Sequence, residues 1–157
     1  MLNKEISEPV ILEALDLIKQ NKASCVLVKD GKIVHIEIGM GISPILYSYM
    51  TYPDLFEGAT IVDKIVGKAA AVISILGKAN EIVGLTMSDS AIEYLLNKNS
   101  SFRFVNYVQK IQNRTRTGIC PIEQSVMDID DPAEAFLALL NRLQDLKKKV
   151  VIKKICE

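Results

Sequence analysis

The most constraining stretch of the chain runs from Asp63 to Gly77, DKIVGKAAAVISILG, nearly all apolar or small. A helix with apolar residues all round must be covered on several sides, so this one has to lie at the centre of a layered core. Asp63 suits the N-cap and Gly77 the C-terminal stop. Gly67, Ala70, Ala71 and Ser74 allow neighbouring elements to approach closely. Lys64 and Lys68 break the pattern, because cations belong at the other end of a helix dipole. A local rule broken in this way is either compensated by a carboxylate or prepared for an anionic ligand, and the residues alone leave both readings open.

A chain of 157 residues is the usual size of one domain and can bury a real core. We therefore expect a single domain over residues 1–157, with a core at about 9–145 and a C-terminal extension at 146–157. Lys plus Arg equals Asp plus Glu at 19 each, which gives no reason to expect a nucleic acid or an anionic membrane surface. The start, Met1-Leu2-Asn3-Lys4-Glu5, has no apolar signal core, and unbroken apolar runs such as Ala69–Ile73 are far too short to span a bilayer. The expected location is cytoplasmic. Cys25, Cys120 and Cys156 form no CxxC pair and suit reduced thiols. With His35 as the single histidine, a conventional zinc site lacks ligands, so neither metal nor cofactor is expected.

The remaining pattern alternates helix and strand. Ser7 and Pro9 start a helix that carries Ile11, Leu12, Leu15 and Ile18 to about Gln20. Cys25–Lys29 and Lys32–Ile38 form two strands around the Asp30-Gly31 turn, with Val34, Ile36 and Ile38 on one face and His35 and Glu37 on the other. Gly39–Pro44 then leaves a strand end, with Gly41 permitting the turn, Ser43 as cap and Pro44 opening a short helix. A brief extended run at Ala59–Val62 feeds the central helix. Glu81–Met87 is strand-like, Ser88 caps a helix, and Phe102–Val105 is a strand whose continuation to Ile111 is open between strand and helix. Asp130-Asp131-Pro132 starts the last helix, which ends near Lys147–Lys149, with Val150–Ile152 as an edge strand or tail and Lys153, Lys154 and Cys156 solvated. The order predicts a layered α/β fold.

A second stretch carries chemistry, Asn113–Glu123, NRTRTGICPIE. Pro121 fits the first turn of a helix, placing Cys120 at its cap and Glu123 where a capping-box acid would sit. A thiol facing a helix dipole, with Arg114 and Arg116 in the same stretch, favours the thiolate. The structural alternative is a small cap residue with Glu123 as its partner.

Taken in order, Gly41-Ile42-Ser43-Pro44, DKxxGKAAA from Asp63, Ser88 with Ala91, and NRxxxGxCPxE from Asn113 resemble an uncharacterised prokaryotic family, a domain of unknown function with the cytidine deaminase-like fold. The resemblance covers about residues 9–145. It implies a three-layer α/β/α domain around a mixed sheet, with the N-termini of two central helices meeting at one pocket. Zinc-dependent members of the wider fold place a His/Cys-x-Glu pair at one helix start and Pro-Cys-x-x-Cys at the next. Here those places hold Asp63, Lys64, Gly67 and Lys68, and Ser88, Asp89 and Ser90. The resemblance thus implies the pocket without the zinc.

Two functions follow as expectations. One is an enzyme on a small anionic or nucleotide-like molecule, with Cys120 as thiolate, Lys68 and Lys64 on anionic groups, and Asp63 or Glu123 handling protons. The other is a binding or sensing domain that kept the pocket and lost the metal. Gly41, Ser43, Gly67, Ser88, Asn113 and Arg114 complete the expected ligand site, and Asp63, Lys68, Ser88, Asn113 and Cys120 are expected to converge in one cleft. A homodimer is compatible with a compact fold carrying tyrosine-rich loops, although no interface pattern is visible.

Overall fold

A computed structural model describes residues 3–156, with side chains through residue 149. The elements follow the chain as α1 (Pro9–Lys19), β1 (Cys25–Lys29), β2 (Lys32–Glu37), α2 (Ser43–Thr51), α3 (Pro53–Phe56), β3 (Thr60–Val66), α4 (Lys68–Leu76), β4 (Glu81–Ser88), α5 (Asp89–Asn97), β5 (Phe102–Val108), α6 (Pro121–Val126) and α7 (Pro132–Cys156).

The strands form one five-stranded sheet in the order β2-β1-β3-β4-β5. β1 runs antiparallel to both β2 and β3, while β3, β4 and β5 are parallel, so the sheet is mixed. Parallel strands need crossover connections, and α4 and α5 supply them. One face of the sheet is covered by α1, whose Ile11, Ala14, Leu15 and Ile18 pack with Val26, Val28, Val62 and Val83. The other face carries the larger core, in which Ala69–Ile73 of α4 meet Leu27, Ile61, Ile82 and Phe102. The expected three-layer α/β/α architecture is the observed one.

The opening stretch divides differently from the expectation. Asp63 and Lys64 belong to β3, and α4 begins only at Lys68 with Gly67 as its N-cap. The β-branched pair Ile65-Val66 continues the strand, paired with Thr86 and Met87 of β4, and cross-strand pairing outweighs the local helical look of the segment. The C-terminal end is where it was expected, but Gly77 is right-handed and Lys78 takes the positive φ of 56°. Gly77 is glycine for another reason, since a Cβ there would overlap the buried Phe56 ring.

Three smaller corrections concern local registers. Ile42 is the N-cap of α2, and Ser43 lies inside the helix without capping it. Val34 lies with His35 and Glu37 on the α4 side of the sheet and not with Ile36, because β2 bulges by one residue there. The chain beyond Lys149 continues α7 to Cys156, with no edge strand at Val150–Ile152; the side chains of Lys153, Lys154 and Cys156 lie outside the described residues.

Candidate functional site

Glu123 reaches out of α6 to the start of α4. Its carboxylate accepts the backbone N–H of Lys68 at 2.7 Å and of Ala69 at 2.8 Å, filling the anion position that a helix N-terminus offers. Gly67 makes room for this contact, since a Cβ there would overlap the Glu123 carboxylate. The expected capping box within α6 is therefore not formed: Glu123 caps its neighbour, and Cys120 caps α6 without a side-chain bond. Burial raises the Glu123 pKa, while the two N–H groups, the Lys68 charge and the Ser90 hydroxyl oppose the rise.

The Lys68 side chain is held by a backbone carbonyl and an aromatic ring. It is buried at 9% exposure, its Nζ donates to the Met127 carbonyl at 2.9 Å and lies 5.1 Å from the centre of the Tyr94 ring. Desolvation pulls its pKa down, against the pull of Asp130, Asp128, Glu123 and Glu93. At the next helix start Ser88 accepts the Ala91 N–H at 3.3 Å and lies 3.1 Å from the Ser90 hydroxyl. Ser88 is thus a buried cap of α5.

Lys68 and Glu123 also form one wall of a cleft of about 640 Å³. α5 contributes Asp89, Ser90, Glu93, Tyr94 and Asn97; the segment after β5 contributes Gln109, Lys110, Ile111 and Ile119; and Met127 to Asp130 close the remaining side. Five carboxylates, Asp89, Glu93, Glu123, Asp128 and Asp130, face two lysines, Lys68 and Lys110. Asp130 is held by Lys98 at 3.0 Å, and Tyr94 donates to the Asp130 carbonyl at 2.8 Å, which ties α5 to the loop before α7. Burial pushes the Tyr94 hydroxyl up to about 12.

The other residues expected at the site lie elsewhere. Asp63 is buried in the sheet opposite Cys25, accepts the Lys64 N–H at 2.9 Å, and is pushed up to about 7 by burial. Lys64 is exposed on β3, and Gly41, Ser43 and Arg114 are exposed on loops or helix ends and do not line the cleft. Asn113 organises its own loop, accepting the Thr117 N–H at 3.0 Å and donating to the Thr117 hydroxyl at 3.1 Å. Cys120 packs against the α4-side core, on the same face of the sheet as Lys68, but does not line the cleft. Of the five residues expected to converge, the cleft therefore holds only Lys68.

Asp89, Ser90, Glu93 and Asn97 were missed as site residues, although they recur on one face of a helix and could have been found by that spacing. Zinc does not fit these helix starts. Among the described residues no group of three or more His, Cys, Asp or Glu side chains could hold a metal ion, and the two N-termini present Gly67, Lys68 and Ala69 and a capping serine.

The family model described as TM1506, a domain of unknown function (DUF1893), matches residues 13–143. The chain belongs to this family. A solved DUF1893 family protein (TM1506) from Thermotoga maritima is similar in fold at a TM-score of 0.76 and 23% identity, over 89% of this chain and 94% of that one. Two forms of RibD from Acinetobacter baumannii are more distant, at TM-scores of 0.43 and 0.42 and 15% identity, covering 62% and 82% of this chain and 34% and 38% of theirs. No curated protein matches the chain at a significant level. The uncharacterised family whose motifs the sequence carries is thus the family of the chain, and the fold it implied is the one observed.

Proposed function

We propose that this domain binds a small polar molecule in the cleft between α5 and the 109–130 segment, acting as a ligand-binding or sensing domain. The carrying observation is that Glu123 is taken up by the N–H groups of Lys68 and Ala69 and the Lys68 ammonium by the Met127 carbonyl, while the cleft beside them keeps polar side chains facing open space. A carboxylate already occupying the α4 N-terminus leaves that site closed to an external anion. Catalysis through Cys120 draws no support from the lining, because the thiol lies outside it.

The surplus of carboxylates favours a ligand that donates hydrogen bonds or carries positive charge over one bearing phosphate. Ser90, Asn97 and Gln109 add neutral hydrogen-bonding groups, while Tyr94, Ile111, Ile119 and Met127 offer apolar contact. That mixture suits a flat heterocycle with amino groups, of nucleobase or nucleoside size, and fits the general make-up of small-molecule sites. A thermal-shift screen against nucleobases, nucleosides and small amines tests the reading. Binding should raise the melting temperature of the wild type and leave Asn97→Ala and Glu93→Gln unshifted; equal shifts in all three proteins would exclude the cleft.

A further inference from the structure

β2 forms one margin of the sheet, and among the described residues no strand pairs with its outer edge. Free edges template pairing with another chain unless something blunts them. In β2 the relevant device is the bulge. Leu27 is opposite His35 and the next residue, Val28, is opposite Ile33, so Val34 is the extra residue.

Directly opposed residues share a face, and the two faces of β1 are known from their cores. His35 and Glu37, opposite Leu27 and Cys25, lie on the α4 side, and Val34 packs there too. Ile33 and Ile36, opposite Val28 and Val26, lie on the α1 side. Lys32 is opposite Lys29, whose Nζ donates to the Asp54 carbonyl of α3, and so also falls on the α4 side. The faces along β2 are therefore symmetric about the point between Val34 and His35. A regular strand would put Lys32 and Glu37 on opposite faces.

We propose that the chain forms a homodimer in which β2 pairs antiparallel with β2 of a second copy, about a twofold axis between Val34 and His35. Lys32 then meets the second copy's Glu37, Ile33 meets its Ile36, and Val34 meets its His35, each pair on one face and the first two complementary. The bulge, which usually discourages edge pairing, here sets the register that brings Lys32 to Glu37 and Ile33 to Ile36 on shared faces. The surface around the edge is apolar as well: Ile36 is 41%, Ile38 69% and Met40 65% exposed, and α2, which packs on β2, exposes Tyr47 and Met50. Tyrosine and methionine are enriched at interfaces, and a patch of this kind on a monomer marks a contact site.

Sedimentation velocity on the full chain tests the proposal. The wild type should be a dimer at tens of micromolar. Lys32→Glu and Glu37→Lys each place like charges opposite one another at both ends of the ribbon and should weaken the dimer by about tenfold or more. The double variant Lys32→Glu/Glu37→Lys restores both pairs and should recover the dimer, although it still lacks the Glu37 bond to His35. Circular dichroism confirms that each variant is folded. A monomeric wild type, or a folded double variant as monomeric as the single ones, would overturn the proposal.

Discussion

The Glu123 carboxylate and the Lys68 backbone N–H meet at 2.7 Å across 55 residues of chain, so the N-terminus of α4 is capped by a side chain from α6. The contact joins the DKIVGKAAA stretch to the CPIE turn and explains Gly67, whose absent side chain leaves room for the carboxylate.

Removing that carboxylate should destabilise the fold. Glu123→Ala leaves two buried N–H groups without acceptors and should cost about 2–4 kcal/mol in urea denaturation. Gly67→Ala drives a methyl into the same carboxylate, and Gly77→Ala drives one into Phe56; each should cost about 1–3 kcal/mol. Gly118→Ala, with only the Asn113 side chain at 4.0 Å, should be close to neutral. Equal stability of Gly67→Ala and Gly118→Ala would refute the packing argument.

Much of the fold was legible because its elements carry local signals: the Asp30-Gly31 turn with φ of 52° and 75°, Pro9 and Pro121 in first turns, and the cap at Ser88. The boundary at Asp63 was not, because a strand buried on both faces and a buried helix are both continuous apolar runs, and only pairing with β4 decides between them. Glu123 was recognised as a capping acid but given to the wrong helix, since a contact spanning 55 residues leaves no mark on local spacing. Arg103 escaped notice for the same reason. It is a buried strand residue whose fork grips Glu81 at 2.8 and 2.9 Å and reaches Glu8 at 2.9 Å, tying the N-terminal segment to the sheet.

Asp63 should make stability depend on pH. Its carboxyl titrates near 7 when folded against 3.8 in the unfolded chain, so folding favours the protonated form. The associated stability is complete below about pH 4 and is lost as pH rises through 7, by an amount on the order of a few kcal/mol. Glu123, also raised by burial, acts in the same direction. Glu8, held down to about 2 by Arg103, acts oppositely as pH falls below 4.5. Between pH 5 and 8 the wild type should therefore lose stability and Asp63→Asn should lose much less. Parallel denaturation profiles for the two proteins would contradict this.

The cysteines should separate by access. Cys25 is fully buried, with burial and the Asp63 charge raising its pKa, whereas Cys120 is partly exposed. Iodoacetamide at neutral pH, followed by peptide mapping, should modify Cys120 while Cys25 stays protected until the protein unfolds. Equal labelling of the two in the native state would show that the sheet opens readily around β1.

The most direct test of ligand binding is native mass spectrometry of the protein purified from cells. The wild type should carry a small molecule, in the mass range of a nucleobase or nucleoside, that is absent from folded Glu93→Gln and Asn97→Ala. The same adduct on all three proteins would contradict the cleft as the binding site, and a wild type with no adduct that also binds none of the screened compounds would contradict ligand binding itself.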